Sequence, residues 1–338
     1  MLKSSIVGVV ILNWDGLELT KKCFNSLASQ SFKDYKLVVI DNGSKDGSVK
    51  WLQAQPNIEL ILNIKNLGFA VGMNQGVNRV MAMGCKYVIA LNNDTELDKN
   101  WIQGLVEYME KHEDISFAQG ANLQEGHKHL YDSTGIYLEN GFIPNQRALG
   151  QANPRLDITA IGPNAAGAIY RIDMLRAIKQ KNGDYFDSRF FAYVEDVDLD
   201  LRCILRGYHF TFTANAKLYH KGSVTGNQIA KKKMFWGTRN LIWLVYKNVP
   251  LSVLRKNIKI IVKSHLANLQ FLWQKQRNNF PPYMMGLIAG LISSPRFYFD
   301  RRRNLRAQIL SNQDLLNLLL PANPPLNNPI KKLINLIK

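Results

Sequence analysis

The run Tyr87–Leu91 is apolar and rich in β-formers, and it ends abruptly in Asn92-Asn93-Asp94-Thr95-Glu96. It is long enough for a buried parallel strand. Its end sets amide and carboxylate oxygens at the carboxyl edge of a sheet, where open α/β sheets bind their ligands. Such oxygens suit Mg2+ or Mn2+, ions that reach a protein through one or two carboxylates plus substrate phosphates. A plain polar loop is the alternative reading. Three more clusters fall at strand ends or in loops: Asp41, Glu195-Asp196 and His220. Asp41 can accept a hydrogen bond from a base or ribose, or serve as an Asx-turn residue before Asn42-Gly43. Glu195-Asp196-Val197-Asp198 is denser in acid than a helix start requires, since each first-turn carboxylate adds only ~0.3–1 kcal/mol. Like-charged neighbours would raise the pKa of one of them and make it a general base. His220 is an ordinary surface histidine unless a metal-bound diphosphate lies beside it.

The elements that must position these residues follow a regular alternation. Ile6–Leu12, Leu37–Ile40 and Ile58–Leu62 read as short buried strands. Helices are expected over Gly16–Ser29, Ser48–Gln55, a stretch opening at Asn66-Leu67-Gly68 and running to about Met83, and Lys99–Lys111. Strands alternating with helices at this spacing imply a mostly parallel sheet with right-handed crossovers. Gly68 and Gly72 lack GxGxxG spacing, so no dinucleotide fingerprint is present. After Ile115 the pattern changes. Tyr131–Pro144 reads as a hairpin turning at Asn140-Gly141. Asp157–Arg171, with Gly162, Pro163 and Gly167, suggests close backbone approach. The helix after Glu195 is expected to end near Arg206, with a strand over Phe210–Thr213.

Charge divides the chain. From residue 221 onward there are 20 Lys and Arg against two acids, Asp300 and Asp314, while the whole chain carries +17. The first 220 residues are therefore nearly neutral, and the last third points to an anionic partner. Ile258, Ile261, Val262, His265, Leu266, Leu269 and Trp273 repeat at three and four, with Lys259, Lys263 and Lys275 elsewhere on the turn, as in an amphipathic helix with a basic face. Met284–Ile292 is apolar but well short of the ~20 residues that span a bilayer. A proline-rich tail, Pro321–Pro329, leads into a small basic amphipathic piece, Ile330–Lys338. The division expected is 1–230 for the chemistry and 231–338 for a basic helical region. The three cysteines have no ligand-like spacing, which argues against a disulfide framework and for a reducing compartment. The first apolar run is read as a strand rather than a signal peptide. Nucleic acid is disfavoured because the basic residues sit among aliphatic runs with no binding motif.

The ordered stretches VVILNWDGLELTKKCFNSLASQ, LVVIDNGSKDGS, NLGFAVGMNQG, ALNNDTEL, FFAYVEDVDLDLRCILRGY and HKGSVTG together resemble family 2 glycosyltransferases of GT-A fold, most of all the bacterial rhamnosyltransferase type, over roughly residues 5–240. The resemblance implies a Rossmann-like mixed sheet flanked by helices, with the basic helical region appended. It implies that Ile11, Leu12, Asn13 and Asp41 line a nucleoside pocket and that Asn66 and Gly68 sit beside a nucleotide sugar. Asn92-Asn93-Asp94 stands where the family has its DxD motif, with Asn in place of the first acid and Asp94 as the metal carboxylate. Gly167 would lie near the acceptor, Glu195-Asp196 would match the ED pair with Asp196 as base, and His220 would approach an Mg2+ or Mn2+ ion. The Gln-x-x-Arg-Trp signature of processive relatives is missing, so one sugar per encounter is expected. The implied donor is a nucleoside diphosphate sugar (dTDP-rhamnose or a UDP-sugar). The implied acceptor is a glycan or polyprenyl-linked hydroxyl in cell-surface polysaccharide synthesis. The basic region would then touch the anionic inner face of the cell membrane or form an oligomer interface. The competing readings are a nucleotide-sugar-binding protein without catalysis and a basic nucleic-acid-binding module.

Overall fold

A computed structural model of the chain describes residues 6–154, 156–222 and 229–320. The first half alternates strand and helix as expected: β1 (Val7–Asn13), α1 (Leu17–Ala28), β2 (Tyr35–Asp41), α2 (Ser48–Gln53), β3 (Ile58–Leu62), α3 (Phe69–Ala82), β4 (Tyr87–Asn92), β5 (Thr95–Leu97) and α4 (Trp101–Lys111). Then come β6 (Ile115–Gln124), β7 (His127–Ser133), β8 (Ile136–Glu139), β9 (Ile143–Gln146), β10 (Gly167–Arg171), α5 (Ile172–Ile178), α6 (Glu195–Leu205) and β11 (His209–His220). Five helices and a last short strand follow: α7 (Ala230–Asn248), α8 (Leu251–Lys275), α9 (Phe280–Ser293), α10 (Tyr298–Arg306), α11 (Asn312–Asn317) and β12 (Leu319–Leu320).

The main sheet runs β3-β2-β1-β4-β10-β6-β11-β5, with β7 on β6. The first four strands are parallel, and β10 is inserted antiparallel between β4 and β6. Both faces of β1 are covered, which is why it reads as an unbroken apolar run. Val10 faces the core under α3 with Met73 and Val77, while Val9 and Ile11 face the core under α1 and α4 with Leu27 and Trp101. Thr20, Cys23 and Leu27 form the buried stripe of α1, at the spacing read from the sequence.

A third core ties the two parts of the chain together. Ile136, Leu138 and Phe142 pack with Val197 and Leu201 of α6, with Leu244 of α7, and with Val253 and Leu315. The parallel pairing of β12 on β8 completes a second sheet, β12-β8-β9. Two strands differ from expectation. The hairpin at Asn140-Gly141 joins β8 to β9 only, because Gly135 at φ +129° breaks the run and leaves Tyr131 in β7, paired to Leu123. The strand expected to stop at Thr213 continues to His220, past a register shift between Phe212 and Lys217 that interrupts the alternation. The proline-rich tail and Ile330–Lys338 lie outside the described residues. All three cysteines are free and buried.

Candidate active site

The parallel strands end together, so β1, β2 and β4 deliver Asn13, Asp41 and Asn92 to one edge. Between β4 and β5 the chain turns tightly through Asn93-Asp94. The antiparallel register of β5 with β11 pairs Thr95 with His220, and Lys221 N–H donates to the Asp94 carbonyl at 3.0 Å. That pairing carries His220 against Asp94. Its Nε2 lies 3.3 Å from Asp94 Oδ1, and its Nδ1 lies 2.9 Å from Asp132 Oδ2 on β7. Burial works against a charged ring, but the carboxylates of Asp94 and Asp132 outweigh it and raise the His220 pKa to about 10. Burial likewise opposes ionisation of Asp94, and the His220 ring overcomes it, holding the carboxyl below its ordinary value.

Asp94 Oδ1 and His220 Nε2 are buried, and apart from their 3.3 Å approach to each other neither has a partner. A carboxylate oxygen and an imidazole nitrogen 3.3 Å apart are a donor pair that a divalent cation would bridge in place of a proton. Among the described residues no three His, Cys, Asp or Glu side chains converge. The fit is therefore to an ion held by two protein groups that takes its remaining ligands from substrate oxygens and water.

Asn13 and Asp41 act beneath this turn. Asn13 Oδ1 accepts from Asn93 Nδ2 at 2.9 Å and from Thr20 Oγ1 at 2.8 Å, and its Nδ2 donates to Asp41 Oδ2 at 2.8 Å. The other Asp41 oxygen accepts from the N–H groups of Gly43 and Ser44, the Asx-turn arrangement. Asp41 and Asn13 are fully buried, so what they orient is the Asn92-Asn93-Asp94 turn.

The opposite wall begins at Phe191. Phe191, Tyr193 and Val194 take φ values of +68°, +70° and +71°. No glycine is among them, and Val194 is β-branched; such conformations cost roughly 1–3 kcal/mol each and persist only when neighbours over-determine them. Two neighbours do. Asn240 Nδ2 on α7 donates within 3.0, 3.0 and 2.7 Å of the carbonyls of Phe190, Ala192 and Tyr193. On the other side Ala70 N–H donates to Phe191 O at 3.2 Å. Gly68, at φ +89°, lies so close that a Cβ would meet Phe191 O at 2.5 Å. A Gly68→Ala variant should consequently displace this loop, lose more than ~1 kcal/mol of stability and weaken donor binding. Thermal unfolding with and without nucleotide measures both.

This loop ends in α6, whose first residues are Glu195 and Asp196. Burial pushes the Glu195 carboxyl well above its ordinary value, and the charges of Asp196 and Asp198 push it further. Glu195 Oε2 has no partner. Burial also raises Asp196, but N–H groups of Val197 and Ala165 hold its ionised form and limit the rise; Val197 N–H lies at 2.8 Å. Burial and like charge thus raise Glu195 further than Asp196, whose ionised form has backbone donors.

Asp94, His220, Glu195 and Asp196 line one cleft of about 560 Å³. Leu12, Asn66, Gly68, Asn92 and Asn93 of the expected set line it as well. Ile11, Asn13, Asp41 and Gly167 do not; Asn13 and Asp41, expected to line a nucleoside pocket, are fully buried beneath the turn. Ile11 is wholly in the core, and Gly167 packs where a Cβ would meet Leu218 at 2.3 Å and Trp101 at 3.0 Å. Asn164, Ala165 and Ala166, just before Gly167, reach the cleft instead. Trp14, Asn42, Gln146, Lys232 and Trp236 also line it, as does the Phe191–Val194 loop, and Asp132 stands behind His220. None of these stands out in the sequence as a site residue. Trp14 and Asn42 come nearest to doing so, each being next to a singled-out residue at a strand end.

A curled mixed sheet of this order, with helices on both faces and a cleft at the carboxyl ends of its parallel strands, is the GT-A fold of glycosyltransferases. Residues 8–168 match the family described as Glycosyl transferase family 2. Over 126 residues the chain is 27 % identical to an uncharacterized glycosyltransferase of Haemophilus influenzae, which takes in 35 % of this chain and 37 % of that protein. Its fold is similar to that of S. aureus TarS, with a TM-score of 0.54 at 14 % identity over 89 % of this chain and 53 % of that one. TarS 1–349 in complex with UDP superposes with a TM-score of 0.52 at 14 % identity, over 89 % of this chain and 88 % of that one. GalNAc-T7 with UDP, GalNAc and Mn2+ gives 0.54 at 13 % identity, over 72 % and 48 %. The chain thus spans about a third of the Haemophilus protein and half of the longer TarS chain. Residues 8–168 therefore match the family 2 glycosyltransferase model, and the chain shares the GT-A fold.

Proposed function

We propose that the chain is an inverting, metal-dependent glycosyltransferase that moves a sugar from a nucleoside diphosphate to a hydroxyl of a glycan or polyprenyl-linked acceptor, with dTDP-rhamnose the first donor to test and UDP-sugars next. The observation that carries this reading is the single cleft shared by Asp94 and His220 on one wall and Asp196 on the other. The UDP in the TarS and GalNAc-T7 structures supports a nucleotide donor, and the Mn2+ in the latter supports a divalent ion. Asp94 and His220 would hold Mg2+ or Mn2+, which when bound offsets charge on the departing diphosphate. Asn13 and Asp41 keep the Asn92-Asn93-Asp94 turn in position. Asn66 and Gly68 border the donor.

In the reaction, the acceptor oxygen attacks the anomeric carbon from the face opposite the leaving group. The bond to the diphosphate oxygen breaks, and the hydroxyl proton passes to Asp196. Attack from that face inverts the anomeric configuration, and no covalent enzyme intermediate forms. The basic helical region would hold the chain at the inner face of the cell membrane, where such acceptors are displayed.

A melting-shift screen of nucleotide sugars with and without Mn2+ tests the reading. A ligand that binds only the folded chain adds ~2.7 kcal/mol at a hundred times its Kd. A nucleotide sugar should therefore raise Tm more with Mn2+ present, and Asp94→Asn should remove the Mn2+-dependent part. No shift with any nucleotide sugar overturns the proposal.

A further inference from the structure

We propose that α9 is a docking face that lies flat on an anionic lipid bilayer, with its outer side among the acyl chains. The helix FPPYMMGLIAGLIS contains no charged residue. Its inner side is fully engaged. A Cβ on Gly286 would meet Phe235 O and Thr238 Cβ of α7 at 2.8 Å, and one on Gly290 would meet Ile242 Cβ at 2.8 Å. Tyr283, on the same side, is held by His265 Nδ1 at 2.7 Å and donated to by Asn268 Nδ2 at 3.2 Å. These contacts fix the helix's rotation. The side they turn outward carries Met285, Ile288, Leu291 and Ile292, which are between 50 % and 75 % exposed. Trp273 of α8, 57 % exposed, meets Phe280 edge-on with ring centres 5.2 Å apart and extends the apolar surface at one end.

Charge decides what covers this face. Exposed Lys275 and Arg277 precede it, and exposed Arg296 and Arg302 follow it. The nearest acid in sequence, Asp300, is already engaged by Arg189 and Arg303. A second copy of the chain would bring the same cations into contact. So would residues 321–338, whose charged residues are Lys331, Lys332 and Lys338. A bilayer with anionic headgroups offers acyl chains to the apolar side and phosphates to its flanking cations. Fourteen residues extend only about 21 Å along a helix axis, less than the ~30 Å hydrocarbon thickness. Among the described residues no helix is long and apolar enough to cross a membrane. The helix therefore rests on the surface.

The placement bears on the cleft. One side of α7 receives Gly286 and Gly290, and Lys232 and Trp236 of the same helix line the cleft. Docked α9 would thus set α7, which borders the cleft, one helix spacing, ~8–10 Å, behind the lipid-facing helix. In this respect the inference rests on the reading above, because an acceptor carried on a lipid would meet the cleft where it is anchored.

The test uses the full chain and needs no turnover. Flotation with phosphatidylcholine vesicles containing phosphatidylglycerol should carry the protein up, and pure phosphatidylcholine vesicles should carry far less. The combined Ile288→Gln, Leu291→Gln and Ile292→Gln variant should lose about tenfold or more in vesicle affinity while keeping its nucleotide melting shift. Because the native cysteines are buried, a polarity-sensitive dye on a separate Ile292→Cys variant reports this face alone, and its emission should move to the blue on anionic vesicles. Wild-type protein that stays down with anionic vesicles overturns the proposal. So does a dye that does not respond, a triple variant that floats like wild type, or a concentration-dependent dimer that the triple variant abolishes. Should the triple variant fail to fold, the dye decides. A chain that floats but binds no nucleotide would sink the transferase reading and leave the docking face standing.

Discussion

Asp196→Asn should reduce sugar transfer ~10²–10⁴-fold, the usual contribution of a positioned general base, while nucleotide and Mn2+ binding persist. The amide has the shape of the carboxyl, and its oxygen can still accept the Val197 N–H that lies at 2.8 Å. Only the proton-accepting ability is lost. The same assignment sets the pH profile. Burial raises the Asp196 pKa, and a base works only when ionised. The rate should therefore climb with pH through a value above the ~3.9 of an ordinary Asp, and this limb should vanish in the variant. Initial rates against pH, beside a donor melting shift, check both points. A variant that transfers at the wild-type rate would move the base elsewhere.

The second large effect belongs to Lys247. Its ammonium is fully buried and lies 2.6 Å from Asp187 Oδ2 and 2.8 Å from Asp198 Oδ2. Arg202 Nε donates to Asp198 at 2.9 Å, and Asn248 Nδ2 to its other oxygen at 2.8 Å. Lys247→Met removes the ammonium and leaves carboxylates charged in the interior, which typically costs 3–5 kcal/mol. Burial opposes ionisation of both acids, but Lys247 and the nearby arginines hold both below the ordinary value. Groups with depressed folded values contribute stability that is present above the unfolded pKa of ~3.9 and is lost as pH falls through the folded value. The wild type should therefore weaken in acid below about pH 4. The gap between wild type and variant should close there, because the stranded carboxylates take up protons. Urea unfolding from pH 7 down to 3 measures this, and a gap that widens in acid would contradict it.

Much of the fold was legible because β1, β4 and the second half of β2 are buried on both faces and read as apolar runs that end in polar residues, while β3, a half-buried edge strand, still shows as a short β-rich run. Asn92-Asn93-Asp94 and Glu195-Asp196 stood out for the same reason: their polar density exceeds what a turn or a helix cap requires. What stayed hidden came from distant pairing. Asp132 reaches His220 only because β7 folds back on β6, and the register shift within β11 obscured the link between Phe212 and His220. The Phe191–Val194 loop bends without a glycine, so no local residue signals it; its conformation is imposed by Asn240 and Gly68. Ile11 and Gly167 belong to strands that end at the cleft, but the pleat turns them away from it, a matter of one residue in register.

Asn240 also bears on how the chain can be divided. The residue that latches the turn before Asp196, the carboxylate proposed as base, is supplied from beyond position 230, on the same helix as Lys247 and the cleft-lining Trp236. A fragment cut at the apparent boundary would remove the Lys247 ammonium that Asp187 and Asp198 share, leaving each with one arginine, and would leave the Phe190–Tyr193 carbonyls without the Asn240 donor. Expression of residues 1–229 alone should thus yield insoluble or inactive material, and shortening the protein for biochemistry has to begin beyond α7.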